Sequence, residues 1–374
     1  MIGRHEEDQT LALQLSTRVA KRHLILEHRK DHLLIRDLDT DTGSLLYVQP
    51  EPEQVERLGV WRLSCLQEIR RLFGGPLRPL DARTALERLR HAHAIQRAIW
   101  APGSPDAAPA IIHLPVETQP ILVGDLHEHL DNLLTVLTTG GGLRALEERR
   151  AVLVLLGDAV HPDGGSDLTE MSGSLLMMDL IFALMIRFPG RVVYIRGNHD
   201  GCDEEISKRG ISQGRAWRHT MIKTRGEEYL QAMLNFYQDL PSIVVHPRVV
   251  ACHAAPFTVP VNRKTLGNLR AHPELLRQLT WNRIHQPNRP GGYRKADVKR
   301  FLTALTGSDR PALVVGHTPL DDRHTFWLNI DGISNHHILY GGHARRMGWI
   351  TLMDERLLAQ EYPVEPLSQE LDTC

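Results

Sequence analysis

Five strand-sized apolar runs in this 374-residue chain each stop at a residue with a lone pair to offer. They read PILVGD (120–125), AVLVLLGD (151–158), RVVYIRGN (191–198), RVVACH (248–253) and ALVVGH (312–317). Runs that are apolar throughout, rather than alternating, predict strands covered on both faces. Between and around them lie helical stretches such as LDNLLTVL, MSGSLLMMDLIFALMIRF and EEYLQAMLNFYQDL. Strands alternating with helices predict an α/β layered architecture. The later strand-like runs TFWLNIDG and GWITLMDE predict a second sheet packed beside the first.

In α/β sheets, ligands gather beyond the carboxyl ends of the strands. The residues at those ends are Asp125, Asp158, Asn198, His253 and His317, with His127 two positions past the first. Carboxylate and amide oxygens mixed with imidazole nitrogens suit Mn²⁺, Fe or Zn²⁺ better than Mg²⁺ or Ca²⁺, which favour all-oxygen shells. Taken singly, an Asp after a strand is commonly a turn or helix-capping residue, and a His there is commonly structural. Five such strand ends in one chain point to a shared metal site.

The ordered set GDLH, GD, RGNHD, CH and GHT resembles the calcineurin-like metallophosphoesterases. More narrowly it is similar to the phosphoprotein phosphatase branch of Ser/Thr phosphatases and their bacterial relatives. The Arg before GNH, the segment DLPSIVVHPRVVACHAAP and the Pro319 of GHTP support the narrower likeness. It covers roughly 117–330 and implies a layered β-sandwich flanked by helices. It also implies two metal ions, the first held by Asp125 and His127, with Asp158 bridging to a second held by Asn198, His253 and His317. A hydroxide held between cations about 3.5–4 Å apart would then attack phosphorus, with His199 as general acid for the leaving alcohol.

The likeness breaks at informative places. The family's GDxVDRG reads GDAVHPDG here, so His161 and Pro162 replace the Asp that partners the catalytic His and an Arg that holds phosphate. Asp163 is read as a turn residue and Asp200 as a loop-stabilising one, since chain neighbours seldom face each other. Glu128 replaces the Gly after GDxH, and Ala254 and Ala255 replace the glycines of CHGG. All six ligand types are retained, which implies an active enzyme with altered substrate recognition. Arg283 in LTWNRIHQP is the candidate to hold phosphate and Arg196 the second, because a guanidinium grips phosphate in two places. For His129, His161, His324, His336, His337 and His343 a surface role is expected.

The remaining sequence sets the frame. Residues 1–100 are read as a mainly helical accessory region, with helices over 10–28, 55–73 and 85–100 and a small hairpin within 31–50, serving equally well as an interaction element or as a helical cap that buries apolar surface. APGSPDAAPA opens a linker over 101–116, and the catalytic domain spans 117–365. A net charge of −1 excludes a bulk electrostatic case for nucleic acid or acidic membrane. Four scattered cysteines without CxxC spacing suit a reducing compartment. No run reaches the ~18–20 apolar residues of a membrane span, and MIGRHEEDQTLALQL is too polar for a signal peptide. A cytoplasmic protein is therefore expected.

The expected function is hydrolysis of phosphomonoesters, of phosphoserine or phosphothreonine in proteins. One alternative is a nucleotide hydrolase, such as one cleaving symmetrical dinucleoside polyphosphates. Another is a weakly catalytic docking module that uses the N-terminal region to bind a protein partner.

Overall fold

The computed structural model describes residues 52–100, 109–164, 167–286, 291–321 and 324–373, with four short strands ahead of them. Those strands, β1 (Ile2–Arg4), β2 (Leu11–Leu13), β3 (Leu24–Arg29) and β4 (His32–Asp37), form one sheet in the order β2-β1-β3-β4. They overturn the helix expected over 10–28. The apolar triplets at 24–26 and 33–35 enclose the polar EHRKDH, and the strands that carry them pair as an antiparallel hairpin, Arg29 opposite His32. A short apolar run serves strand or helix equally, and here the pairing decides. The hairpin expected within 31–50 is thus displaced towards the N-terminus; 38–50, and 101–108 of the expected linker, lie outside the described residues.

Two long helices follow as expected, α1 (Pro52–Phe73) and α2 (Ala82–Trp100). The chain leaves α1 through Gly74 at φ +94°, a conformation open to glycine. Asp81 starts α2 by accepting from the backbone N–H groups of Arg83 and Thr84. Next come β5 (Ile111–His113), β6 (Gln119–Val123), α3 (Leu130–Leu137), α4 (Gly142–Glu147), β7 (Ala151–Leu155), α5 (Ser172–Arg187) and β8 (Val192–Tyr194). A hairpin of β9 (Ser207–Lys208) and β10 (Ile211–Ser212) leads to α6 (Gln213–Arg225) and α7 (Glu227–Asp239). Then follow β11 (Ile243–His246), β12 (Val249–Cys252), α8 (Arg263–Gly267), α9 (Pro273–Trp281), α10 (Lys295–Thr306) and β13 (Ala312–Val315). The chain closes with β14 (Phe326–Trp327), β15 (His336–Leu339), β16 (Arg346–Met353), β17 (Arg356–Pro363) and α11 (Leu367–Thr373).

The remaining strands form two sheets, ordered β17-β16-β6-β7-β8 and β14-β15-β13-β12-β11-β5. Side-chain alternation explains why both sheets need apolar runs. Leu153 and Leu155 of β7 face a helical layer, while Val152 and Val154 face the other sheet with Val244, Ala251 and Val314. The outer face of the second sheet, Val250, Cys252, Leu313 and Val315, packs on Leu279, Val298 and Phe301 of α9 and α10. The result is a sandwich flanked by helices on both sides, as expected from the uniformly apolar runs.

Assignment of strands to sheets departs from the expectation. GWITLMDE, as β16, pairs with β6 in the first sheet, whereas the CH and GH strands, β12 and β13, belong to the second. The region read as linker contributes β5, which pairs in parallel with β11.

The helices at 52–100 share their core with the helices that cover the first sheet. Leu66, Ile69, Phe73, Ala85, Leu89 and Ala92 are buried in the core that also holds α5 and α7. A buried ion pair seals the junction: Asp179 of α5 accepts from Arg225 of α6 at 2.5 and 2.9 Å and from the Leu80 N–H between α1 and α2. Leu89 has no exposed surface, so Leu89→Ala should cost about 2–5 kcal/mol of stability. In urea unfolding the loss should appear in one transition shared by the sheets and helices. A separate early transition for the N-terminal helices would show that they are an independent accessory unit.

Candidate dinuclear metal centre

The first sheet delivers Asp125, Asp158 and Asn198 from the ends of β6, β7 and β8, and the second delivers His253 and His317 from β12 and β13. The two sheets are tied at this edge, because the His317 N–H lies 3.0 and 2.9 Å from the two carboxylate oxygens of Asp125. Turning each chain sharply out of its strand places His127, Asp158, His161 and His317 at φ +43°, +50°, +69° and +64°. Non-glycine residues adopt that region at a cost, and such strain clusters at functional sites. Two glycines are required by closeness: a Cβ on Gly197 would lie 2.1 Å from Asp158 Oδ1, and one on Gly316 2.2 Å from Asp125 Oδ1.

All six expected ligands meet. Asp125, His127 and Asp158 offer atoms within 4.8 Å of one another, as do Asp158, His253 and His317, so Asp158 belongs to both groups. Asn198 Oδ1 lies 3.0 Å from His253 Nε2. His253 tests whether a cation fits. Its Nδ1–H donates to the Leu156 carbonyl at 2.7 Å, so Nε2 carries a lone pair. That lone pair faces Asp158 Oδ2 at 3.3 Å, an acceptor against an acceptor. A cation between them turns the repulsion into coordination. His127 has the same arrangement, with Nδ1 donating to the His161 carbonyl at 3.0 Å and Nε2 left for a ligand role.

Electrostatics agree with this fit. Burial pushes the Asp125 carboxyl up to about 7 and that of Asp158 well above the carboxylate range, with Asp200 adding to the latter. Burial pushes the His127 imidazole down to about 3 and that of His317 well below its usual value. Imidazoles held neutral are ready ligands, and buried carboxylates need a cation nearby to stay ionised.

The neighbours sort into several roles. His199 Nε2 points inwards, 3.9 Å from Asp158 Oδ2, and its N–H donates to Asp158 Oδ1 at 2.8 Å. Its other nitrogen, Nδ1, lies 2.8 Å from His161 Nδ1. His161 is fully buried, which corrects the surface role expected for it. His336 and His337 are buried too: His336 bonds Tyr293 and the Leu313 carbonyl, while His337 accepts from the Asn329 N–H. His129 and His343 are half-buried, and His324 is exposed.

Asp200 has the expected stabilising place, accepting from Tyr194 OH at 2.5 Å, Gly197 N at 2.6 Å and Asp158 N at 3.1 Å. Asp163, expected as a turn residue, is instead engaged by Lys208 and the Tyr340 hydroxyl. Arg283 lies against the centre, its Nε 3.2 Å from His317 Nε2 and its Nη2 donating to the His317 carbonyl. Arg196 is half-buried, and its charge bears on Arg270, which is bonded to the carbonyls of Gln238, Asp239 and Leu240.

Sequence reading missed the contacts of His161, Ser174, Lys208 and Tyr340. For His161 a signal existed, since it occupies the altered position of GDAVHPDG. Ser174, Lys208 and Tyr340 reach the site only through the fold, and their sequence surroundings carry no mark.

Strand ends, shared carboxylate and histidine set together define a candidate two-metal site, and the sequence comparison says which family carries it. Residues 120–344 match the calcineurin-like phosphoesterase family, and the chain belongs to it. No curated protein gives a significant match. Among solved structures, a serine/threonine phosphatase from Saccharomyces cerevisiae with similarity to human PP5 superposes with a TM-score of 0.55. Its identity is 13%, over 76% of this chain and 90% of that one, a likeness of fold. A cold-active protein-tyrosine phosphatase of a psychrophile, Shewanella sp., gives 15% identity and a TM-score of 0.44, over 70% and 83% of the two chains. A structure bearing the provisional name diadenosine tetraphosphatase gives 18% identity and 0.37, over 68% and 98%. The last two superpose too loosely to carry an argument. No helix among the described residues is long and apolar enough to cross a membrane.

Metal analysis should find two Mn²⁺, Fe or Zn²⁺ ions per chain. Asp158→Asn should lower occupancy of both, because its carboxylate belongs to both ligand groups. His127→Ala should leave about one ion, since only the first group is opened. Equal loss in both variants would mean that the two groups are not separate sites.

Proposed function

We propose that this protein is a metal-dependent phosphomonoesterase of the phosphoprotein phosphatase type, acting on phosphoserine or phosphothreonine. One observation carries the reading: His199 Nε2 is aimed at the same buried carboxylate, Asp158, that both ligand groups share. Two cations, held by Asp125, His127 and Asp158 and by Asp158, Asn198, His253 and His317, would supply an activated water and neutralise charge on the phosphoryl oxygens. Manganese, iron and zinc all suit this mixed nitrogen and oxygen set.

The chain's own groups do the rest. Protonated, His199 would give its Nε2 proton to the oxygen of the departing alcohol and be left as the neutral imidazole. Asp158 fixes the His199 backbone, so the proton donor and the ligand carboxylate move as one unit. Arg283 holds His317 by two contacts and brings positive charge to the mouth, where a phosphate dianion must enter. Lys208 is a second cation in this region: its charge opposes protonation of His127. The buried floor keeps bulk water from competing for these contacts.

The test is the initial rate of p-nitrophenyl phosphate hydrolysis with added Mn²⁺, for wild type and Asp158→Asn. Turnover is expected, with a fall of about 10²-fold or more in the variant, the scale of losing a main electrostatic element. A phosphoserine peptide and a dinucleoside polyphosphate then separate the substrate classes. Faster cleavage of the dinucleotide would replace the protein-phosphatase reading with the nucleotide-hydrolase one. No turnover with any of Mn²⁺, Fe²⁺ or Zn²⁺ would favour the docking-module reading.

A further inference from the structure

Two departures from the family pattern, Glu128 and His161, are joined in space by Ser174. The His161 N–H donates to Ser174 Oγ at 2.9 Å, and Ser174 Oγ donates to Glu128 Oε2 at 2.8 Å. Room for the Glu128 carboxyl comes from Gly173, whose missing Cβ would lie 3.1 Å from it. Glu128 is itself fixed by its N–H to the Ala159 carbonyl at 2.8 Å. The brace therefore runs from the loop after β6, through the first turn of α5, to the backbone of His161.

The His161 side chain has an unusual set of contacts for a buried imidazole. A core histidine normally satisfies both ring nitrogens. His336 does so, with Nε2 2.7 Å from Tyr293 OH and Nδ1 3.2 Å from the Leu313 carbonyl. His161 leaves Nε2 without a hydrogen-bond partner among the described residues. Its ring meets Trp217 edge-on at 6.4 Å, and its one polar contact among the described residues is His199 Nδ1 at 2.8 Å. Two ring nitrogens this close share one proton, so the contact fixes the orientation of both rings. Packing alone does not explain a side chain that leaves one nitrogen unsatisfied and gives the other to His199.

We propose that His161 is the positioning residue for His199, and that Glu128, acting through Ser174, holds His161 in the left-handed backbone conformation this requires. The inference rests on the reading of His199 as the group facing the leaving oxygen. His161 and Pro162 stand where one acidic and one basic residue are implied by the family likeness. Exchanging both for uncharged groups leaves the local charge balance unchanged, and the contact to the His199 ring is made here by an imidazole nitrogen.

The test compares Mn²⁺-loaded wild type, His161→Ala, His161→Asn and Ser174→Ala by crystal structure and by kinetics on p-nitrophenyl phosphate and an alkyl phosphate. p-Nitrophenolate leaves without needing a proton, whereas an alkoxide needs one. In His161→Ala the His199 ring should swing away from Asp158. The kcat on the alkyl phosphate should fall about 10²-fold, the lower end of what a positioned proton donor contributes. On p-nitrophenyl phosphate it should fall by no more than about threefold, with KM little changed. His161→Asn, which keeps a polar group facing His199, should recover most of the alkyl-to-aryl ratio. Ser174→Ala should shift that ratio in the same direction as His161→Ala, by less.

An unmoved His199 ring in His161→Ala, or equal losses on both substrates, would overturn the proposal. Should His161→Ala fail to fold, the ring position and substrate ratio in Ser174→Ala and His161→Asn decide in its place. If the wild type hydrolyses neither substrate, the functional reading fails, and the ring position alone still decides the role of His161.

Discussion

Asp158 is the interaction on which the rest of the site depends. Its carboxylate is almost wholly buried, a position that a charge can hold only with compensating partners. One oxygen accepts from the His199 N–H, the other faces the His253 lone pair, and the Asp158 N–H is tied to Asp200. The β7 end, the RGNHD loop and the CH strand end thus converge on one residue. Remove its charge and the His199 backbone, the position common to both candidate ligand groups and the turn after β7 all lose their common anchor.

The arrangement also accounts for the two-sheet sandwich. Ligands from a single sheet lie along a row, spaced by the strand separation of about 4.8 Å. A compact set of two carboxylates and three histidines needs donors arriving from two sides. Splitting the ligand-bearing strands between sheets does this, and the Asp125 contact with the His317 N–H fixes how the sheet edges meet. The left-handed residues at the strand ends are the local consequence: each chain must turn at once to keep its side chain in the gap.

Helices α1 and α2 pack as a cap on the core that follows them. The Pro/Ala/Gly-rich stretch after Trp100 looks like a separator. Yet the apolar faces of these helices share a core with α5 and α7, and Leu80, Asp179 and Arg225 stitch them together in the interior. The first strands of the chain were misread for a related reason. LILEH and HLLIR are compatible with either period, and only the partner strand distinguishes them.

The meeting of these six side chains was legible in the sequence because five of them close an apolar run and His127 follows the first by two positions, so a place at a strand end is a local property of the chain. The layered fold was legible for the same reason: uniformly apolar strands imply cover on both faces. Which runs share a sheet, what orients His199 and which cation stands near the mouth were not legible. Those depend on contacts between residues far apart in the chain, such as His161 with His199, Asp163 with Tyr340, and Asp125 with His317. A residue's type and its neighbours set what it can bind. Only the packing of the two sheets and their helices decides what it meets, because side-chain partners are fixed by direction and distance in space, and chain order constrains neither across a sandwich.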